Sequence, residues 1–169
     1  MKIGIITICK VNNYGAELQA FATQKQLEQM GHKVEIIDYL YYKNWKFKDT
    51  ALSQPFIATN IKGKFMYWLK YRFVNWAVDK ILPIFNKKEK RRKQNYQSFI
   101  DYGCYSRQYK SMDELYHANM DYDIYIVGSD QVWNPSASSS IEPYFLTFAP
   151  QNAPKLTYLS LIHISEPTR

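Results

Sequence analysis

Two cysteines in 169 residues are too few for a disulfide framework, and Cys9 and Cys104 lie too far apart in sequence for a metal-ligand motif. No apolar run reaches the ~20 residues that a membrane-spanning helix requires. The longest, in the middle of the chain, is broken by Lys70, Arg72, Asp79 and Lys80. The chain also lacks the three spaced glycines of a dinucleotide fingerprint and the Gly-Lys-Ser/Thr of a phosphate loop. Met1-Lys2-Ile3-Gly4-Ile5 enters a strand directly, without a charged leader, apolar core and cleavage site, so no signal peptide is expected and the cytoplasm is the default location. There is no internal repeat and no low-complexity tract. Acidic residues are scarce where basic ones are dense. Residues 41–110 hold sixteen basic and four acidic groups, a local +12 in a chain of net +7, while the flanking parts are neutral or acidic.

What is present reads as one α/β domain with enough apolar content for a core. Lys2–Cys9 is rich in isoleucine and barely alternates, the pattern of a strand covered on both faces. The loop Lys10-Val11-Asn12-Asn13-Tyr14-Gly15 leads into a helix over Ala16–Met30, with Leu18, Phe21, Ala22 and Leu27 near helical spacing and Gln and Glu opposite. Gly31 is a natural helix stop, and Val34–Tyr39 reads as a second strand. Strand, helix and strand in this order imply a parallel sheet. In the centre, Phe65, Leu69, Phe73 and Trp76 recur at helical spacing, and Pro83 ends or kinks that helix. Lys87–Lys93 with Tyr96, Phe99 and Ile100 predicts another helix. Ser111-Met112-Asp113-Glu114 has the capping-box pattern and starts a short one.

The most informative stretch follows the third strand, Tyr122–Ile126. It reads Val127-Gly128-Ser129-Asp130-Gln131-Val132-Trp133-Asn134-Pro135. Gly128 lets the backbone turn or approach a ligand closely. Ser129, Asp130, Gln131 and Asn134 then supply a hydroxyl, a carboxylate and two amides at a strand's carboxyl end, where ligands bind in open α/β sheets. A polar turn capping the next helix is the competing reading. In the first strand-to-helix loop, Asn12 and Asn13 suit helix capping, while Tyr14 and Gln19 are placed to face the crevice. Cys9 reads as a small packed thiol and not a nucleophile, and His32 and His117 read as surface residues.

Two of these motifs and a third form a recognisable set: Asn13-Tyr14-Gly15-Ala16 with Leu18-Gln19-Ala20, then Gly31-His32-Lys33-Val34-Glu35-Ile36-Ile37-Asp38-Tyr39, then Gly128–Pro135 with Tyr144-Phe145-Leu146-Thr147-Phe148. In this order they resemble the N-terminal half of the polysaccharide pyruvyl transferase family, from Met1 to about Tyr158 and most weakly across 41–110. The resemblance implies a Rossmann-like open parallel sheet with helices on both faces, here the N-terminal lobe (1–158) of a two-lobed fold similar to the B-type glycosyltransferases, with 41–110 as a basic, aromatic helical insertion. The implied activity moves the pyruvyl group of phosphoenolpyruvate onto a sugar of a surface polysaccharide or its lipid-linked precursor, forming a ketal, with no cofactor or metal.

The resemblance further implies that phosphoenolpyruvate meets Arg and His residues of a C-terminal lobe outside these 169 residues, so the chain is expected to be inactive alone. The acceptor sugar would contact Asn13, Tyr14, Gly15, Gln19, Gly128, Ser129, Gln131 and Asn134, with Asp130 as the acid/base candidate because a carboxylate can take a proton from a sugar hydroxyl, or else as a carboxylate that only positions the loop or the sugar. Alternatives are a glycosyltransferase on the same scaffold and a non-catalytic carbohydrate-binding lobe. Residues 159–169, from Leu159 to Arg169, resemble translated sequencing-adapter DNA and are expected to be non-native. The +12 segment carries no nucleic-acid-binding motif, so no nucleic-acid partner is expected. Contact of Lys87–Lys93 with an anionic membrane surface, Trp45, Trp68 and Trp76 lying near the interface, competes with simple packing of a solvated helix pair.

Overall fold

Strands rich in isoleucine and tyrosine form the centre of the protein, and their alternation assigns the two faces of the sheet. The computed structural model describes residues 1–50, 52–53, 61–128, 132–133 and 142–158. Four parallel strands, β1 (Lys2–Ile6), β2 (Lys33–Ile36), β3 (Ile124–Gly128) and β4 (Lys155–Tyr158), lie in the order β2-β1-β3-β4. Ile3, Ile5, Val34 and Ile126 cluster on one face, under Leu27 of helix α1 (Tyr14–Gln29). Ile6, Tyr125 and Val127 point the other way and pack with Met112 and Leu115 of α6 (Met112–Tyr116). Each fully buried isoleucine or leucine in these layers contributes about 1.5–3 kcal/mol. The result is a Rossmann-like open sheet with helices on both faces.

The strands are shorter than their apolar runs. β1 stops at Ile6, although Thr7 and Cys9 remain buried, because the chain leaves the sheet there to build the loop into α1. Beyond β2 the edge is completed by isolated parallel bridges, Ile36 to Tyr105 and Tyr39 to Tyr109. Ser111 caps α6 by accepting the Glu114 N–H at 3.0 Å, and Glu114 in turn accepts the Lys110 N–H at 2.7 Å. Gly31 follows α1 with φ of 85°, the left-handed conformation that ends helices.

One expectation is inverted. The residues of α1 that are buried are Glu17, Ala20 and Gln24, while Leu18 is 56% exposed. The cause is the ragged edge beside β2. Gln24 donates to the carbonyls of Val34 (3.0 Å) and Cys104 (3.1 Å) and accepts the Cys104 N–H (3.1 Å), so its amide supplies partners that a neighbouring strand would otherwise provide.

The central segment is helical: α2 (Ile61–Trp68), a π-helical turn (Leu69–Val74), α3 (Asn75–Lys80), α4 (Leu82–Phe85) and α5 (Lys87–Ile100). The break between α3 and α4 falls beside Pro83, which occupies the first turn of α4 where its missing N–H is harmless. Asn86 caps α5 by accepting N–H groups of Lys88 and Glu89. Among the described residues no helix is long and apolar enough to cross a membrane.

A close approach fixes Gly4. In register it pairs with Glu35 on β2, and Tyr122 lays its ring across Gly4 to donate to the Glu35 carboxylate at 2.8 Å. Burial and that carboxylate push the Tyr122 phenol upward, so it stays a donor. A Cβ on Gly4 would meet the ring at 2.7 Å. Gly4→Ala should therefore cost about 1–3 kcal/mol through overpacking, read as a lower urea midpoint; an unchanged midpoint would show that the ring can yield.

Candidate functional site

Strand order decides where a ligand can sit. From β1 the chain crosses to β2 on one side, and β3 lies on the other, so the order reverses between β1 and β3. The crevice outside the carboxyl ends of two such strands is the usual binding place in open α/β sheets. Ile6 is registered against Val127, so the loops leaving β1 and β3 begin side by side. The first carries Asn13, Tyr14 and Gly15, and Gly128 ends the strand from which the second departs.

Asn13 is the N-cap of α1, its Oδ1 accepting the Gly15 N–H at 3.0 Å. A Cβ on Gly15 would approach that oxygen to 3.3 Å, so a larger residue there requires the Asn13 side chain to shift by a few tenths of an ångström. Tyr14 is exposed, with its ring edge-on to Tyr96 at 5.4 Å. Gln19 lies half-buried within α1. Gly128 sits beside Tyr158 of β4. Ser129, Asp130, Gln131 and Asn134 lie outside the described residues. Their neighbours Val132 and Trp133 do not: Val132 is buried in the main core, and Trp133 donates to the Tyr144 carbonyl at 2.9 Å and stacks on Phe145 at 5.5 Å. Trp133 thus meets the short 3-10 helix Glu142–Phe145, and Val132 joins the same core as Tyr144.

Under the first loop lies a polar network that the sequence pattern did not reveal. Lys10 and Asn12 both adopt left-handed backbone conformations, φ of 56° and 58°, which for Lys10 carries steric strain. Side chains hold them. The Lys10 N–H and the Tyr96 hydroxyl (2.7 Å) donate to Glu17 Oε1, and the Tyr105 hydroxyl donates to Oε2 at 3.0 Å. Tyr96 also accepts the Asn12 N–H at 2.9 Å. Lys10 Nζ reaches the buried Asp38 carboxylate at 2.6 Å and lies 4.1 Å from the centre of the Tyr105 ring; Gln108 donates to the same carboxylate at 3.2 Å. Burial and the Glu17 charge push both phenols well up, so Tyr96 and Tyr105 remain donors. A polar signal existed in the sequence, since Lys10 follows an apolar strand and Asp38 interrupts the end of one, but Glu17 sat on the side of the helix expected to face water.

On the β2 side of this loop opens a cavity of 630 Å³, lined by Lys10, Asn12, Lys43, Lys46, Arg92 and Lys93 among others. Lys93 is paired with Asp79 at 2.6 Å and Arg92 with Glu89 at 3.4 Å, whereas Lys43 and Lys46 lie over the rings of Tyr41, Tyr42 and Trp45. Cys9 is buried close by, and burial, followed by the charges of Asp38 and Glu17, raises its thiol far above the ordinary range. It is packed and inert, as its position at the end of an apolar strand suggests. His117 is exposed at the end of α6, its ring bonded to the Asp113 carbonyl. Among the described residues no group of three or more His, Cys, Asp or Glu is placed to hold a metal ion.

Two outcomes follow from this geometry. Tyr96→Phe leaves Glu17 one donor short and the Asn12 N–H unpaired, so it should lose about 1–3 kcal/mol in chemical denaturation. Combined with Glu17→Gln it should lose less than the sum, since both act in one network. Thiol titration of the native protein at pH 8 should count one reactive cysteine, the exposed Cys104, and a second only after unfolding.

The family model of polysaccharide pyruvyl transferase matches residues 13–159, from the cap of α1 to the end of β4. No curated protein and no solved structure gives a significant match. The matched span contains the loop into α1, the second strand and the segment around Gly128 that carry the resemblance in the sequence. The chain belongs to the polysaccharide pyruvyl transferase family.

Proposed function

We propose that this chain is the acceptor-side lobe of an enzyme that moves the pyruvyl group of phosphoenolpyruvate onto a sugar of a surface polysaccharide or of its lipid-linked precursor. In this reading residues 1–158 are the N-terminal lobe, 41–110 its helical insertion, and the donor is held mainly by a second lobe. The observation that carries the reading is the adjacency of the β1 and β3 ends within a chain of this family. A sugar seated in that crevice would meet Asn13, Tyr14, Gly15 and Gln19 from one side and Gly128, Ser129, Gln131 and Asn134 from the other.

The chemistry sets what the site must do. Ketal formation joins two sugar hydroxyls to C2 of phosphoenolpyruvate, converts its methylene to a methyl group and releases phosphate. Of the two hydroxyl protons, one ends on the methyl carbon and one on phosphate. A carboxylate beside the attacking hydroxyl accepts its proton as the C–O bond forms, and Asp130 is the residue we assign to that role. Tyr14, exposed at the mouth of the first loop, offers a ring face to the sugar. Because the reaction needs donor and acceptor together, the 169 residues alone should release no phosphate from phosphoenolpyruvate.

The test uses a two-lobed version of the protein with phosphoenolpyruvate and candidate lipid-linked sugars. Phosphate release that depends on the acceptor is the expected result, and Asp130→Asn should lower kcat about 10²–10⁴-fold with folding unchanged. Undiminished turnover in that variant would remove Asp130 from catalysis. Consumption of a nucleotide sugar without phosphate release from phosphoenolpyruvate would replace the whole reading with a glycosyltransferase.

A further inference from the structure

No residue of α2, the π-helical turn, α3 or α4 is buried, although this segment is among the most apolar in the chain. Phe65 is 59% exposed, Ile84 75% and Phe85 83%. The aromatic residues are not scattered. Phe65 stacks on Trp68 (6.4 Å between ring centres), Trp68 on Phe73 (6.3 Å), and Phe73 lies 6.0 Å from Trp76. The middle pair is five residues apart, a spacing that an α-helix would place on different faces; the wider π-helical turn Leu69–Val74 brings the two rings together. A continuous aromatic strip of this kind, left in water, marks an interaction surface.

Charge chooses the occupant. Between Ile61 and Lys93 there are eleven basic residues and two acidic ones. Arg72 is committed to Asp49 at 2.7 Å, Lys93 to Asp79 and Arg92 to Glu89. Lys62, Lys64, Lys70, Lys87, Lys88 and Arg91 are exposed. A second copy of the same surface would bring two strongly positive segments together, so self-association is electrostatically opposed. Apolar and aromatic side chains interleaved with lysines, on helices too short and too polar to span a bilayer, are the composition of a surface that lies in the headgroup layer of an anionic membrane.

We propose that the exposed aromatic and basic face of α2–α4, with the first turns of α5, docks on an anionic lipid bilayer. Trp68 and Trp76 sit at the headgroup level, Phe65, Phe73, Ile84 and Phe85 enter the acyl boundary, and the lysines supply the long-range attraction. This places the contact mainly on the aromatic strip, with Lys87–Lys93 as its electrostatic flank. Vesicle binding needs no substrate, so this inference stands or falls separately from the transferase reading.

The experiment measures binding of the purified chain to vesicles of 30% phosphatidylglycerol in phosphatidylcholine, against phosphatidylcholine alone, by sedimentation and by quenching of tryptophan fluorescence with brominated lipid. The expected result is binding to the anionic vesicles, at least tenfold stronger than to neutral ones and weakened by salt, with quenching. Trp68→Ser with Phe73→Ser, at two half-exposed positions, should lower the quenching from this strip to what Trp76 alone gives and weaken binding at least tenfold. Lys87→Gln with Lys88→Gln and Arg91→Gln should weaken it and flatten the salt dependence. Absence of binding at low salt, binding unchanged in the aromatic variant, or a concentration-dependent dimer that protects the same tryptophans would overturn the proposal. Circular dichroism of each variant separates lost binding from lost folding.

Discussion

A buried carboxylate in the first turn of a helix organises the β1–α1 end of this protein. Glu17 sits almost without solvent contact, and an unsatisfied charge there would cost several kcal/mol. Three donors meet it: the backbone of Lys10 in the β1–α1 loop, Tyr96 from α5 and Tyr105 from the edge beside β2. Each donor belongs to a different part of the chain, so satisfying one carboxylate fixes the loop, the helix that follows the basic segment and the sheet edge relative to α1. The Lys10–Asp38 pair extends the same constraint to the residues after β2. Left-handed conformations at Lys10 and Asn12 persist because this network over-determines them.

That constraint matters for the site because the loop it shapes is one wall of the crevice at the β1 and β3 ends. Asn13 and Gly15 are partly occupied by helix capping, which positions Tyr14 outward without leaving the turn loose. Past β3, Val132 and Trp133 are held differently. Val132 is driven into the core by its apolar surface, and Trp133 is tied by stacking and one hydrogen bond to the 3-10 helix. Within Gly128–Pro135, Val132 and Trp133 thus serve the fold. In the helical segment 61–93, Tyr67 and Tyr71 pack against this core, while Phe65, Trp68, Phe73, Ile84 and Phe85 lie outward.

Much of this was legible in the sequence. The isoleucine-rich runs, Gly31, the Ser111 capping box and Pro83 all act where local chemistry alone decides, through periodicity, left-handed backbone or a missing N–H. The exact extents of the strands were not legible, because a strand ends where its partner ends and not where its apolar run does. The facing of α1 was misread for a related reason. Leu18 and Ala22 look like core and Glu17 and Gln24 like surface until one knows that the edge beside β2 presents unpaired backbone groups that only polar side chains can satisfy. The π-helical turn was equally invisible, since Phe65, Leu69, Phe73 and Trp76 fit a plain helical spacing.

The sequence by itself determined the class of fold, the order of its motifs and the family, because hydrophobic period and turn chemistry are local properties and the motifs are contiguous. Only the tertiary structure decided the strand order that sets the β1 and β3 ends side by side, the partners of Glu17 and Asp38, and the outward aromatic strip. Each of these depends on which distant segments share a border. Tyr96 and Tyr105 stand 79 and 88 residues from Glu17, and no local pattern encodes that meeting.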